Sequence, residues 1–154
     1  MEQIAFDREK KYIAYSLSGN SDQEVLGQMA TALFKEGYVT EDYEEAIKKR
    51  EREFPTGLPT GEICVAIPHT DPEYVNNPAV CLGILEKPVQ FHVMGMEDET
   101  VDVEILFMLA IKQKEEQLGL LQKLIATCQD QEMLSIIKKG DKDKINKVLK
   151  DLIN

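Results

Sequence analysis

The chain predicts an α/β fold: a three-layer α/β/α sandwich with a mixed parallel/antiparallel sheet, in the order β-α-α-β-β-β-β-α-α-α. Three observations predict it. Short apolar or alternating runs cluster in the middle of the chain, stripes of helical period lie on either side of them, and a sheet covered on both faces by helices buries that pattern. With 154 residues and 43% hydrophobic composition, residues 1–154 are expected to form one domain whose core needs neither metal nor disulfide.

The elements follow in order. Lys11 to Leu17 alternates, Tyr12 and Ala14 against Ile13 and Tyr15, and stops at Ser18-Gly19-Asn20, as a strand and turn do. Ser21-Asp22-Gln23-Glu24 is a capping box, Val25, Leu26, Met29, Ala32 and Leu33 form a helical stripe, and Gly37 supplies a left-handed stop. Thr40 is expected to cap a second helix, acidic at its start (Glu41, Asp42, Glu44, Glu45) and basic at its end (Lys48, Lys49, Arg50, Arg52), the order that complements the helix dipole. It should stop near Glu53 or Phe54, before the turn-rich Pro55-Thr56-Gly57-Leu58-Pro59-Thr60-Gly61.

The apolar run Ile63 to Ile67 reads as a strand, and Ala79 to Leu85 and Val89 to Met94 as a strand pair joined at Glu86-Lys87-Pro88. An acidic loop from Gly95 to Thr100 then precedes a strand over Val101 to Ile111. Lys114 to Gln129 carries Leu118, Leu121, Leu124, Ile125 and Cys128 on one helical face. Asp130 and Asp141 can cap two further helices, the last using Ile145, Val148, Leu149 and Leu152.

Charge and cysteine usage narrow the function classes. The 28 acidic and 18 basic side chains give a formal net charge of -10, which repels phosphate backbones and points to proteins with basic faces rather than nucleic acid. The charged N-terminus is no signal peptide, and the longest apolar run, Ile105 to Ile111, falls well short of the about 20 residues that span a bilayer, so a soluble cytoplasmic protein is expected. Cys64, Cys81 and Cys128 are odd in number and sit among apolar neighbours, as reduced core thiols do.

Chemistry concentrates at Ala66-Ile67-Pro68-His69. Pro68 has no backbone N–H, so regular pairing should end there and leave His69, one of two histidines, available at the strand end. A neutral imidazole is a good nucleophile; the Arg52 guanidinium, the Thr56 hydroxyl and free loop N–H groups are suited to hold phosphoryl oxygens beside it. Spacing by itself favours the plainer reading, in which His69 merely ends a strand and Arg52 decorates a helix end. His92 falls on the polar face of its strand and receives no role. Asp71 and Glu73 follow His69, yet no second histidine or cysteine stands at ligand spacing, so neither a metal nor a cofactor is expected. The acidic run Met96-Glu97-Asp98-Glu99 reads as a solvated turn, or as charges that steer a basic partner.

The run Arg50-Glu51-Arg52-Glu53-Phe54-Pro55-Thr56-Gly57-Leu58, followed by Val65-Ala66-Ile67-Pro68-His69, resembles the fructose/mannitol-type enzyme IIA domains of the bacterial phosphoenolpyruvate-dependent sugar phosphotransferase system. The resemblance covers nearly the whole chain. It implies that His69 is the phosphorylated nucleophile and Arg52 the phosphoryl-stabilising cation, with Thr56 and Gly57 shaping the adjoining loop. It further implies HPr as phosphoryl donor, a cysteine of a IIB component as acceptor, and a membrane IIC component reached only indirectly, with no membrane insertion of this chain. Many relatives carry a second histidine where this chain has Glu115-Glu116-Gln117-Leu118. Gln117 can donate an amide N–H to a phosphoryl oxygen but cannot titrate, and it reads equally well as a solvated residue of a first helical turn. That glutamine and the Glu-Phe-Pro-Thr-Gly loop are most like the galactitol branch. A regulatory, nitrogen-type phosphoprotein that acts by partner binding is the alternative.

Overall fold

The structure, a computed structural model, describes residues 1–153; the side chains of Glu97 and Gln117 also lie outside the described set. Its strands are β1 (Glu2–Asp7), β2 (Tyr12–Leu17), β3 (Gly57–Leu58), β4 (Cys64–Ala66), β5 (Ala79–Val93) and β6 (Met96–Ala110). Its helices are α1 (Asp22–Lys35), α2 (Tyr43–Glu53), α3 (Lys114–Thr127), α4 (Gln131–Lys138) and α5 (Lys142–Ile153), with a 3₁₀ turn at Pro72–Tyr74.

The sheet is mixed. β2 runs parallel to β5 and antiparallel to β1, β5 and β6 form a long antiparallel hairpin, and β4 runs parallel to β6. β3 pairs with both β4 and the far end of β5, so β5, β3, β4 and β6 form a ring of pairings at one end. Strand alternation sorts the core into two halves. Ile13, Tyr15, Cys81, Phe91 and Met108 pack with α1 and α2 residues such as Met29, Tyr43 and Ile47, while Tyr12, Ala14, Val65, Leu82 and Phe107 pack with Leu124, Leu134, Ile145 and Leu149. Helices therefore cover both faces, as the pattern predicts.

Side-chain caps open three of the five helices. The Ser21 Oγ accepts from the Glu24 N–H at 3.1 Å, Asp130 and Asp141 do the same for Met133 and Lys144, and Gly37 takes φ +82 after α1. Thr40 does not cap α2: its carbonyl accepts from the Tyr43 N–H at 3.1 Å, and Asp42 is the flanking residue, without a side-chain cap bond.

Four strand expectations need correction. Glu2–Asp7 is an edge strand, hidden in the sequence by its polar residues. The two-residue β3 lies within the turn-rich loop. Glu86-Lys87-Pro88 is no hairpin turn, because β5 runs straight through it; the register shifts between Ile84 and Val89 and all three residues are exposed, which is where a strand tolerates a proline. The reversal falls instead at Met94-Gly95, with Gly95 at φ +77, so the acidic run from Met96 opens β6 rather than forming a loop.

The three cysteines are free, Cys81 and Cys128 buried and Cys64 partly exposed. Among the described residues no helix is long and apolar enough to cross a membrane.

Candidate functional site

His69 lies just past the carboxyl end of β4, beside the last residues of β6 and the first of β5. Pairing does not stop at Pro68. The proline carbonyl accepts from the Leu109 N–H at 2.9 Å, and His69 bridges in parallel to Leu109 of β6, so the missing N–H costs nothing on the side that is used. The Tyr43 hydroxyl donates to the Leu109 carbonyl at 2.8 Å and braces the same point from α2.

The imidazole is fixed by its own strand. Nδ1 lies 2.8 Å from the Ile67 carbonyl oxygen, which can only accept, so Nδ1 carries the proton and Nε2 keeps its lone pair. Burial is the main cause holding its pKa below the usual histidine value; the Arg50 charge adds to it and the bond to Ile67 opposes it. The neutral imidazole this favours at pH 7 is the nucleophilic form.

Around the ring is a cleft of about 310 Å³ lined by Arg50, Thr70, Asp71, Pro72, Lys114, Leu118 and Leu121. Two cations against one carboxylate make this cleft basic in a protein of net charge -10. The Arg50 guanidinium lies over the exposed Phe54 ring, 4.5 Å from its centroid, which restrains a long side chain at the rim.

Arg52 is elsewhere. On a helix, residues two apart point about 200° from each other. Arg52 is exposed, its Nη1 donates to the Gln23 Oε1 at 2.6 Å, and it borders two other depressions, one shared with Asp22, Gln23 and His92 and one with Asp42, Glu45 and Tyr74. The structure thus brings Arg50, not Arg52, to His69.

Thr56 is buried, and its hydroxyl does not open into the cleft; Oγ1 donates to the Glu51 Oε1 at 2.8 Å and its N–H donates to Oε2 at 2.7 Å. Burial of Glu51 pushes its pKa up to about 7 against the pull of those two bonds. Gly57 is forced, since a Cβ there would stand 2.5 Å from the His92 carbonyl oxygen. Gln117 is in α3, with its side chain outside the described residues. His92 is exposed on β5. Among the described residues no group of three or more His, Cys, Asp or Glu stands close enough to hold a metal.

From the sequence, Arg50 and Glu51 stand in the run that carries the resemblance but received no role of their own, and Lys114 received none. A signal for two of them was present: Tyr43, Ile47 and Glu51 recur at i, i+4 and i+8, so the buried stripe of α2 aims Glu51 inward and leaves Arg50 beside it.

Taken together, the mixed sandwich and a pinned imidazole, favoured in its neutral form, in a cleft lined by two cations suit a class of α/β protein that brings an anionic electrophile to a histidine nitrogen. Residues 8–152 match the family "Phosphoenolpyruvate-dependent sugar phosphotransferase system, EIIA 2", and the chain belongs to that family. It is a component of phosphoryl transfer in that system. The galactitol-specific EIIA component of Escherichia coli strain K12 is 25% identical over 126 residues, 82% of this chain and 83% of that protein. The transcriptional regulator ManR of Bacillus subtilis strain 168 is 32% identical over 93 residues, 60% of this chain but 13% of that much longer protein. In fold, the chain is similar to the mannitol enzyme IIA of Escherichia coli solved in complex with phosphorylated enzyme IIB, with a TM-score of 0.71, 19% identity, and coverage of 91% of this chain and 94% of that one.

Proposed function

We propose that this protein is a phosphoryl carrier in which His69 Nε2 accepts a phosphoryl group from phospho-HPr and passes it to a cysteine of a IIB component of a galactitol-like system. In the first step the Nε2 lone pair forms the new N–P bond while the N–P bond of the donor breaks, and the donor imidazole leaves with that electron pair. Arg50, rather than Arg52, neutralises the phosphoryl oxygens, and Lys114 adds a second, more exposed cation. The hydrogen bond from Nδ1 to the Ile67 carbonyl carries this reading, because it leaves one nitrogen, facing a basic cleft, free to react.

Incubation with phosphoenolpyruvate, enzyme I and HPr should label the wild type with an acid-labile phosphohistidine and leave His69→Ala unlabelled. Equal labelling of both proteins would sink the assignment. The match to a transcriptional regulator over 93 residues favours a second reading, in which the phosphorylated chain acts by binding a partner. Labelled protein that discharges to no IIB protein would favour regulation over transport.

A further inference from the structure

We propose that Glu51 is a positioning residue for phosphoryl transfer: its buried carboxylate grips Thr56 twice and thereby locks the strand that seats His69 to the helix that carries Arg50. The inference rests on the carrier reading above.

A series of hydrogen bonds leads from the Glu51 carboxylate to the His69 ring. Glu51 follows Arg50 on the last turn of α2, but turns inward and is 4% exposed. Its Oε2 accepts from the Thr56 N–H at 2.7 Å and its Oε1 from the Thr56 hydroxyl at 2.8 Å. The Thr56 carbonyl accepts from the Ile67 N–H at 3.4 Å, and the Ile67 carbonyl accepts from His69 Nδ1 at 2.8 Å. One residue farther on, Gly57 pairs with Ala66 and Val93 and accepts from the Met94 N–H at 2.8 Å, so the loop is held to the sheet. Glu51 joins that loop to the end of α2, while Tyr43 braces β6 from the start of the helix.

Two donors on one residue need two acceptors at a fixed separation, and an ionised carboxylate supplies both. An amide offers one acceptor and would turn its NH₂ toward the other donor. Burying a carboxyl is costly: desolvation raises the pKa of Glu51 and Asp22 adds to that, while the Thr56 bonds work against it. Gln23, Arg52, Glu53 and His92 border the same depression, so the carboxyl meets mixed charge there rather than one dedicated counter-ion. A costly group that reaches no phosphoryl group itself, yet ties together the elements bearing both site residues, fits a role in geometry. Misplacement of reacting groups by about 1 Å can slow a reaction by about 100-fold.

The test is single-turnover phosphorylation by excess phospho-HPr, because the phosphoryl group stays on His69, with the saturating rate (kcat) and the half-saturating phospho-HPr concentration (KM) measured for wild type, Glu51→Gln, Thr56→Val and Thr56→Ser below their melting temperatures. Thr56→Val and Glu51→Gln should lower kcat by about 10- to 100-fold at a KM for phospho-HPr within about 2-fold of wild type. Thr56→Ser keeps both donors and should return kcat to within about 3-fold of wild type. A lower Tm with unchanged kcat, or a raised KM with unchanged kcat, overturns the inference. If Glu51→Gln does not fold, the Thr56 pair decides alone. Failure of the carrier reading is distinct: wild type would take no label, or His69→Ala would take as much, whereas this inference alone fails if His69 is labelled and Thr56→Val turns over at the wild-type rate.

Discussion

The two histidines of this chain occupy opposite circumstances. His92 is exposed and borders two roomy depressions of about 510 and 420 Å³, whereas His69 is partly buried in a smaller cleft of about 310 Å³. Size alone would select His92. His69 has what chemistry requires: a ring pinned through Nδ1, a depressed pKa, and two cations beside it. The His92 ring has no hydrogen-bond partner among the described residues and shares its surroundings with both signs of charge, Asp22, Lys87, Arg52 and Glu53. A reactive nitrogen is defined by its restraints and local charge rather than by the volume around it.

The contrast can be broken from several directions. Arg50→Ala should slow phosphorylation by about 100- to 1,000-fold, the loss expected when a donor that stabilises developing charge is removed, while Arg52→Ala should stay within about 3-fold. Comparable losses in both would dissolve the distinction between the two sides of α2. Proton titration sharpens it. Burial first, and the Arg50 charge second, lower the pKa of His69, so its neutral form should persist below pH 6.5 and phosphoryl acceptance should fade only as pH drops through the depressed value. The sign for stability is the same. The unfolded chain takes up this proton first as pH falls, so His69 destabilises the fold progressively below pH 6.5 and costs nothing above it. Arg50→Ala should move the His69 titration upward in NMR; a downward move would contradict the assigned cause. Lys114 is exposed and its charge is screened, so Lys114→Ala should slow transfer by about 3- to 10-fold, more at low salt than at high. His92→Ala is expected to change the rate by less than about 2-fold, as is usual for an exposed side chain outside the site.

Much of this architecture was legible in the sequence because it rests on local chemistry. Ser21, Asp130 and Asp141 cap the helices they precede, and the alternation of Tyr12, Ala14 against Ile13, Tyr15 sorts those residues to the two faces of the sheet. What escaped was set by tertiary pairing. Glu2–Asp7 becomes a strand because β2 offers it an edge, and β5 passes Pro88 because a register shift spares the missing N–H. The site shows the same division. Pro68 singles out His69 although pairing runs on past it, whereas Arg50-Glu51 and Arg52-Glu53 are two arginine-glutamate pairs that only the helical spacing of a buried stripe tells apart. The buried stripe of Tyr43, Ile47 and Glu51 separates them once α2 lies on the sheet.

The most direct measurement of the central claim is nitrogen and phosphorus NMR on protein labelled from phosphoenolpyruvate through HPr. Because Nδ1 of His69 is tied to the Ile67 carbonyl, the account predicts a single phosphorylated nitrogen, Nε2 of His69, with Nδ1 still protonated. Phosphorus on Nδ1 of His69, or on either nitrogen of His92, would contradict it.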